Sequence, residues 1–316
     1  MSNKYRIIFR TPQKFCVQNV KYFLENIECI FEMENQHQSG VFFDVYNTEK
    51  VDILGLLLIY KFLNYTVKKH CFVNPITNLR DNKEVSGMMK KIGFEKLVDE
   101  NFTIKNPDET KANYSVSEGL FIAPIVLRRD GCESINKVEK KIKDYYKENE
   151  ISSSILQCIG ELSSNFQEHA VEDTQSVLVA RGNKDYIEIA CADNGEGIIS
   201  SLNSTLKEKY NNGYDVIRRS IEENVTSKPD GGHMGCGLWI VNQYVTATKG
   251  VMYIYSQNGY LKNNEGKIKC GESPFWKGTI IYIKMPLKNK EPFTRVMYEK
   301  EKNIELNYKG IELKFI

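Results

Sequence analysis

The sequence predicts an α/β protein of two units, with an α+β two-layer arrangement in the second. Two observations carry this. Short apolar runs of strand character alternate with amphipathic 3.6-residue patterns from "KYRIIF" (4–9) to "GTIIYIKMP" (278–286), and a polar, weakly patterned stretch, "DENFTIKNPDETKANYS" (99–115), divides them.

In the first unit "KYRIIF" and "GVFFDVYN" (40–47) read as strands, "VDILGLLLIYKFLNYTVKK" (51–69) as a helix entered from a short loop, and "HCFVN" (70–74) as a returning strand. "EVSGMMKKIGFEKLV" (84–98) closes the unit as helix and turn. The second unit opens with the β-compatible "GLFIAPIVLRR" (119–129) and the amphipathic "SINKVEKKIKDYYKEN" (134–149). "SSSILQCIGELSSNFQEHA" (152–170) is the next helix, with Ser152 to Ser154 as expected N-caps. "SVLVARG" and "YIEIACAD" form a hairpin across the turn "NKD", and alternation from Val251 to Leu261 precedes the last strand, 278–286. After Pro286 the two arms around "YKG" (308–310) predict a terminal hairpin.

With 41% apolar and 27% charged residues, the composition is that of a soluble globular protein. Its 43 basic and 41 acidic residues balance, so charge indicates neither nucleic acid nor an anionic membrane as partner. Eight cysteines lie scattered without C-x-x-C pairs, as expected of buried thiols in a reducing compartment. No charged-then-apolar leader opens the chain. The longest apolar run, "ILGLLLIYKFL" (53–63), is broken by Lys61 and too short to span a bilayer. The expectation is a cytoplasmic protein.

Three segments carry chemistry. On the helix 152–170, Glu161, Asn165 and His169 fall at i, i+4 and i+8, and residues four apart are helix neighbours. A carboxylate can serve as general base for water, and an amide oxygen can be a hard ligand for Mg²⁺. By itself, the same line equally describes a solvent-facing side. The second segment, "ADNGEGI" (192–198), sets Asp193 at the end of an apolar strand with Gly195 and Gly197 behind it, a fixed acceptor beside backbone that a flat ligand can approach. It also describes an ordinary Asn-Gly turn. The third, "GGHMGCGLWIVNQYV" (231–245), is a glycine-rich loop opening a helix, able to turn N–H groups toward an anion or to act as a hinge. No G-K-[ST] follows, so it is not a P-loop, and the order strand, G-x-G-x-x-G, helix is missing.

The order of these boxes, E-x-x-x-N helix, strand with D-x-G-x-G, long variable segment, G-x-x-G-x-G-L helix and "GT" strand, resembles the GHKL ATPases, the gyrase, heat-shock chaperone, histidine kinase and mismatch-repair superfamily, from about Val116 to Pro286. The resemblance implies a Bergerat-type sandwich of a mixed sheet with helices on one face. It also implies Mg²⁺ and ATP as cofactors. Asn165 would hold Mg²⁺, Glu161 would polarise the attacking water, and His169 would support the phosphates. Asp193 would accept the adenine amino group, with Thr279 assisting through a water. Gly195, Gly197 and Ile198 would make room for the nucleotide. Gly232, Gly235, Gly237 and the Leu238 N–H would meet the phosphates. The segment between Ile199 and Gly232 would be the mobile lid, from which Lys228 either reaches a phosphate on closure or stands as a solvated charge.

None of His37, His70, His169 and His233 sits in a phosphoacceptor helical hairpin, which argues against a sensor kinase. "NFQEHA" and "GCGLWIVNQYV" are most similar to small anti-sigma-factor-type kinases and their stand-alone relatives. The amino-terminal "GVFFDVYNTEKVDILGLLLIYKFL" resembles a STAS domain. Asp52, Ile53, Leu54 and Gly55 occupy the place where such domains often carry a phosphorylatable hydroxyl. The expected division is a STAS-like domain at 1–112, the ATPase domain at 113–288 and a tail at 289–316. Three functions follow from the resemblance: an ATP-dependent switch with slow hydrolysis, a serine/threonine kinase acting on a STAS partner, or a nucleotide-binding scaffold. The implied partners are ATP and a regulatory protein, with a homodimer as one option.

Overall fold

The computed structural model of the 316-residue chain describes residues 6–32, 40–70, 76–79, 81–101, 119–127, 132–147, 149–169, 176–206, 210, 212–227 and 235–299. The amino-terminal unit runs β1 (Arg6–Arg10), β2 (Lys14–Phe15), a 3-10 turn at Val17–Asn19, α1 (Val20–Ile27), α2 (Cys29–Glu32), β3 (Gly40–Asp44), β4 (Lys50–Val51), α3 (Ile53–His70), β5 (Ile76–Thr77), α4 (Lys83–Ile92) and α5 (Phe94–Asn101). Strands β1, β3 and β5 form a parallel sheet with β3 central, and β2 pairs with β4. Of the "HCFVN" strand only His70 is described, and it ends α3. Most of the expected linker, 102–115, lies outside the described residues.

Helix α3 is apolar on nearly every side and is correspondingly buried on nearly every side, from Ile53 to Leu63. Asp52 starts it, its Oδ1 accepting the Gly55 N–H at 2.8 Å and its Oδ2 the Val17 N–H at 3.2 Å. The residues matched to the phosphorylatable loop are therefore buried, not displayed. Gly55 is required by close approach, since a Cβ there would lie 2.5 Å from the Phe15 carbonyl oxygen.

The second unit runs β6 (Leu120–Leu127), α6 (Cys132–Tyr146), α7 (Glu150–His169), β7 (Ser176–Gly182), β8 (Tyr186–Ala192), α8 (Ile198–Asn203), α9 (Gly213–Arg219), α10 (Gly237–Ala247), β9 (Val251–Asn264) and β10 (Lys267–Pro286), with residues 291–299 also helical. The sheet order is β6-β7-β8-β10-β9, and every adjacent pair is antiparallel. The expected mixed sheet is thus corrected. Strands β8 and β9 run the same way, but β10 lies between them, so no parallel pair forms.

Alternate sheet residues build two cores. On one face Leu178, Ile189, Cys191, Ile254, Ile281 and Ile283 pack with α6, α7 and α10. On the other, Val177, Val179, Ala190, Tyr253, Ile280 and Tyr282 join the core of the amino-terminal unit, against which α1 and α3 lie. Helices α6, α7 and α10 occupy one face as expected, and the amino-terminal unit covers the second. This double burial explains why "SVLVARG" and "YIEIACA" are continuous apolar runs instead of alternating ones.

Other expectations are corrected. Helix α7 is capped by Asn149, whose Oδ1 accepts the Ile151 and Ser152 N–H groups at 2.9 and 3.1 Å, while Ser152 to Ser154 lie inside the helix. An amide at this place captures the first free helical donors before the serines are reached. The presumed lid contains α8 and α9, with Leu202, Val216, Ile217 and Ile221 buried, so its apolar spacing pins much of it to the sheet. The β9–β10 hairpin continues beyond Leu261, pairing Gly259 with Glu272 and Asn264 with Lys267. The expected terminal hairpin (304–316) lies outside the described residues, but 291–299 belong to the core through Phe293 and Val296.

Candidate functional site

The rotation of α7 is fixed by its apolar side. Ile155, Cys158, Ile159, Leu162 and Phe166 are buried, and the Tyr244 hydroxyl of α10 donates to Gln157 Oε1 at 2.7 Å. Glu161 and Asn165 then flank a cavity of about 330 Å³ instead of open solvent. Helix α10 begins at its edge. The first helical amide bond runs from Ile240 to the Cys236 carbonyl at 2.8 Å, which leaves the Gly237 and Leu238 N–H groups ahead of it at the positive end of the helix. A Cβ on Gly237 would stand 3.1 Å from Glu161 Oε2 and 3.3 Å from Asn165 Nδ2. The Asn165 amide nitrogen is buried and has no hydrogen-bond partner.

The far end of the cavity is built where β8 ends. Asp193 is 4% exposed. Its N–H donates to the Thr279 carbonyl at 3.0 Å, its carbonyl accepts the Trp276 indole N–H at 2.9 Å, and its Oδ1 accepts the Gly195 N–H at 2.6 Å. Gly278, with φ +99°, passes so near that a Cβ would lie 2.3 Å from Asp193 Oδ1. Two residues of β9 that the sequence did not single out complete the turn. Ser256 Oγ accepts the Ile198 N–H at 2.8 Å, donates to the Gly278 carbonyl at 2.9 Å and lies 3.4 Å from the Thr279 hydroxyl. Gln257 holds Ser200 through both its backbone N–H and its hydroxyl.

The third wall comes from residues after α9. Val225, Thr226 and Ser227 line the cavity, and Gly235, at φ +66°, packs so tightly on Asn224 and Val225 that a Cβ would meet their backbone at 2.8 Å. Glu161, Asn165, Asp193, Gly197, Ile198, Gly235, Gly237, Leu238 and Thr279 therefore surround one cavity. Gly195 sits behind Asp193 as its hydrogen-bond donor. His169 belongs to the last turn of α7, but its side chain is outside the described residues, as are Gly232 and Lys228. Beneath the cavity, burial holds the Cys158 and Cys191 thiols well above their ordinary range, with smaller contributions from Glu161 and Asp193. Both are inert core side chains.

These groups fit a nucleotide with its metal. No cluster of three His, Cys, Asp or Glu side chains able to hold a metal ion exists among the described residues. A single amide beside a helix N-terminus suits Mg²⁺ when phosphates and waters supply the remaining ligands. A half-turn of the Asn165 amide exchanges its unpartnered nitrogen for the oxygen such an ion requires.

No curated protein matches the chain. Residues 150–289 match the family model described as histidine kinase-, DNA gyrase B-, and HSP90-like ATPase, from the start of α7 to just past β10. This stretch, with its antiparallel sheet and its α7 and α10, is an ATP-binding domain of the GHKL type.

Proposed function

We propose that the protein is a Mg²⁺-dependent ATPase that hydrolyses ATP slowly and uses the bound nucleotide as a conformational switch for a partner protein. The observation that carries this reading is the pairing of Glu161 with the unpartnered Asn165 amide at the Gly237 end of α10, facing Asp193 and Thr279 across one cavity. In this reading Asp193 accepts the adenine amino group. The Gly237 and Leu238 N–H groups receive the phosphates, Asn165 holds the metal, and Glu161 takes the proton from a water whose oxygen attacks the terminal phosphorus, releasing ADP. Mg²⁺, when bound, supplies charge neutralisation on the phosphates. The remaining cavity residues orient the nucleotide and exclude bulk water.

The amino-terminal unit is read as a STAS-like module, supported by the passage from β3 through 45–52 into apolar α3. Its packing on the back of the sheet supports a role in reporting the nucleotide state. None of the helices among the described residues is long and apolar enough to cross a membrane, in keeping with the proposed cytoplasmic location.

Incubation with ATP labelled at the terminal phosphate tests the function. Free labelled phosphate supports the ATPase, label on protein supports the kinase alternative, and neither supports a binding scaffold. Glu161→Gln should retain nucleotide binding while turnover falls by about 10²-fold or more. Unchanged ATP affinity in Asp193→Asn would sink the reading.

A further inference from the structure

Strand β10 is irregular between Glu272 and Thr279, where its pairing with β9 shifts register twice. A regular ladder does not fix this stretch, yet it carries the groups that set Asp193: the Trp276 indole, Gly278 and Thr279. Besides bonds from Asn194 to the Lys277 carbonyl and from Ser256 to the Gly278 carbonyl, its support comes from the amino-terminal unit. Lys21 Nζ donates to the Glu272 carbonyl at 2.6 Å, and Glu28 Oε2 accepts the Phe275 N–H at 3.2 Å. The Phe31 ring meets both Phe275 and Trp276 edge-on, each at 5.6 Å. Trp276 is fully buried, with Phe31 against its ring and the Asp193 carbonyl on its N–H.

We propose that Glu28 and Phe31 are positioning residues for adenine recognition, holding Phe275 and Trp276 so that the Asp193 carboxylate meets the exocyclic amino group. The inference rests on the reading of the cavity as an ATP site. Among the described residues no side chain of the amino-terminal unit lines that cavity, so the effect passes through the β10 stretch that carries Trp276. Base recognition then depends on how α1 and α2 sit against β10, and displacement of the amino-terminal unit weakens the hold on adenine before it disturbs the phosphate end. A site built to bond an N–H group rejects a ligand lacking it far more strongly than a loose apolar pocket does. A small movement of Asp193 therefore appears first as lost discrimination.

The test is equilibrium binding of ATP and of purine riboside triphosphate, which lacks the amino group, to the full chain. A hydrogen bond to a carboxylate predicts that the parent protein prefers ATP by about tenfold or more. In Glu28→Ala and Phe31→Ala the preference should fall about three- to tenfold, through weaker ATP binding with the analogue's affinity unchanged. Glu28→Gln, which keeps an acceptor for the Phe275 N–H, should restore it. Absence of any preference in the parent protein overturns the ATP reading and this inference together. Parent discrimination that persists in Glu28→Ala, or an equal loss of both ligands in that variant, overturns the inference alone. So does a Glu28→Gln variant as impaired as Glu28→Ala. Glu28 is only partly buried, so its variants decide the matter even if Phe31→Ala does not fold.

Discussion

Gly237 opens α10 beside Glu161, leaving only 3.1 Å between a would-be Cβ and the carboxylate oxygen Oε2. The hydrogen in that place lets the helix N-terminus and the carboxylate share one end of the cavity. Neither the carboxylate nor the Asn165 amide, 3.3 Å from the same point, can be approached so closely by a residue with a side chain without moving.

Gly237→Ala separates stability from function. Alanine is favoured over glycine in a helix by about 0.5–1 kcal/mol, so the folded state should hold or gain slightly. The added methyl group pushes Glu161 and Asn165 aside by a few tenths of an ångström. We expect phosphate release to fall by roughly tenfold with an unchanged or higher thermal midpoint, since small misplacement of a catalytic group is costly. Turnover equal to that of the parent would contradict the assigned role of Glu161.

Gly278→Ala should act on both properties at once. The residue has φ +99°, and its Cβ would lie 2.3 Å from Asp193 Oδ1 and 2.5 Å from the Asp193 carbonyl oxygen. The strained backbone alone costs about 1–3 kcal/mol, and the overlap drives Asp193 from its place. Denaturant unfolding should show the loss of stability, and ATP binding should be lost even where the variant remains folded.

Ser256→Ala removes the acceptor of the Ile198 N–H within a fully buried hydroxyl network. An unpaired buried donor costs about 1–3 kcal/mol. The expected result is a lower denaturation midpoint together with faster amide exchange at Ile198, while Ser200, bonded to Gln257, keeps its protection. An exchange pattern indistinguishable from the parent's would show that another acceptor replaces Ser256.

The cavity was legible in the sequence to the extent that each part was local. Glu161 and Asn165 stand on one helix whose apolar residues fix its rotation, and Asp193 ends an apolar strand. Ser256 and Gln257 were not legible, because in "YSQNG" (255–259) they are two polar residues in an alternating strand and their partners lie about sixty residues away in the chain. The long hairpin arm was hidden for a different reason. "GESPFWKG" (271–278) contains the glycines and proline of a turn, and only the paired strand shows that the chain stays extended through them. The continuous apolar "SVLVA" and "YIEIA" reflect burial on both faces, which the expectation of helices on one face did not include. What covers the second face is a property of α1 and α3, and no local pattern in the strands names them.

Asp52 offers a prediction about the contact between the units. It caps α3 at 7% exposure and lies near the back of the five-stranded sheet, where Glu188 pairs with Arg181, accepts the Tyr282 hydroxyl at 3.0 Å and meets Lys284 Nζ at 3.2 Å. Burial, aided by the Glu188 charge, pushes the Asp52 carboxyl up to about 6 from its ordinary 3.8, against the opposing pull of the Gly55 and Val17 N–H groups and Arg181. Burial works on Glu188 in the same direction, but Arg181, Lys284 and the Tyr282 hydroxyl together outweigh it and hold Glu188 below its ordinary value. The folded state therefore binds the Asp52 proton more tightly than the unfolded chain does. Its contribution to stability is complete below 3.8 and declines as pH rises to about 6, by roughly 3 kcal/mol in all. Asparagine does not titrate. Whatever fixed offset its amide introduces beside the Val17 N–H, the stability of Asp52→Asn relative to the parent should climb from about pH 4 to about pH 6 and then level off. Urea unfolding of both proteins across that range measures the slope, and a difference that is flat or falls with pH would mean that Asp52 is solvated and does not meet the sheet as a buried carboxyl.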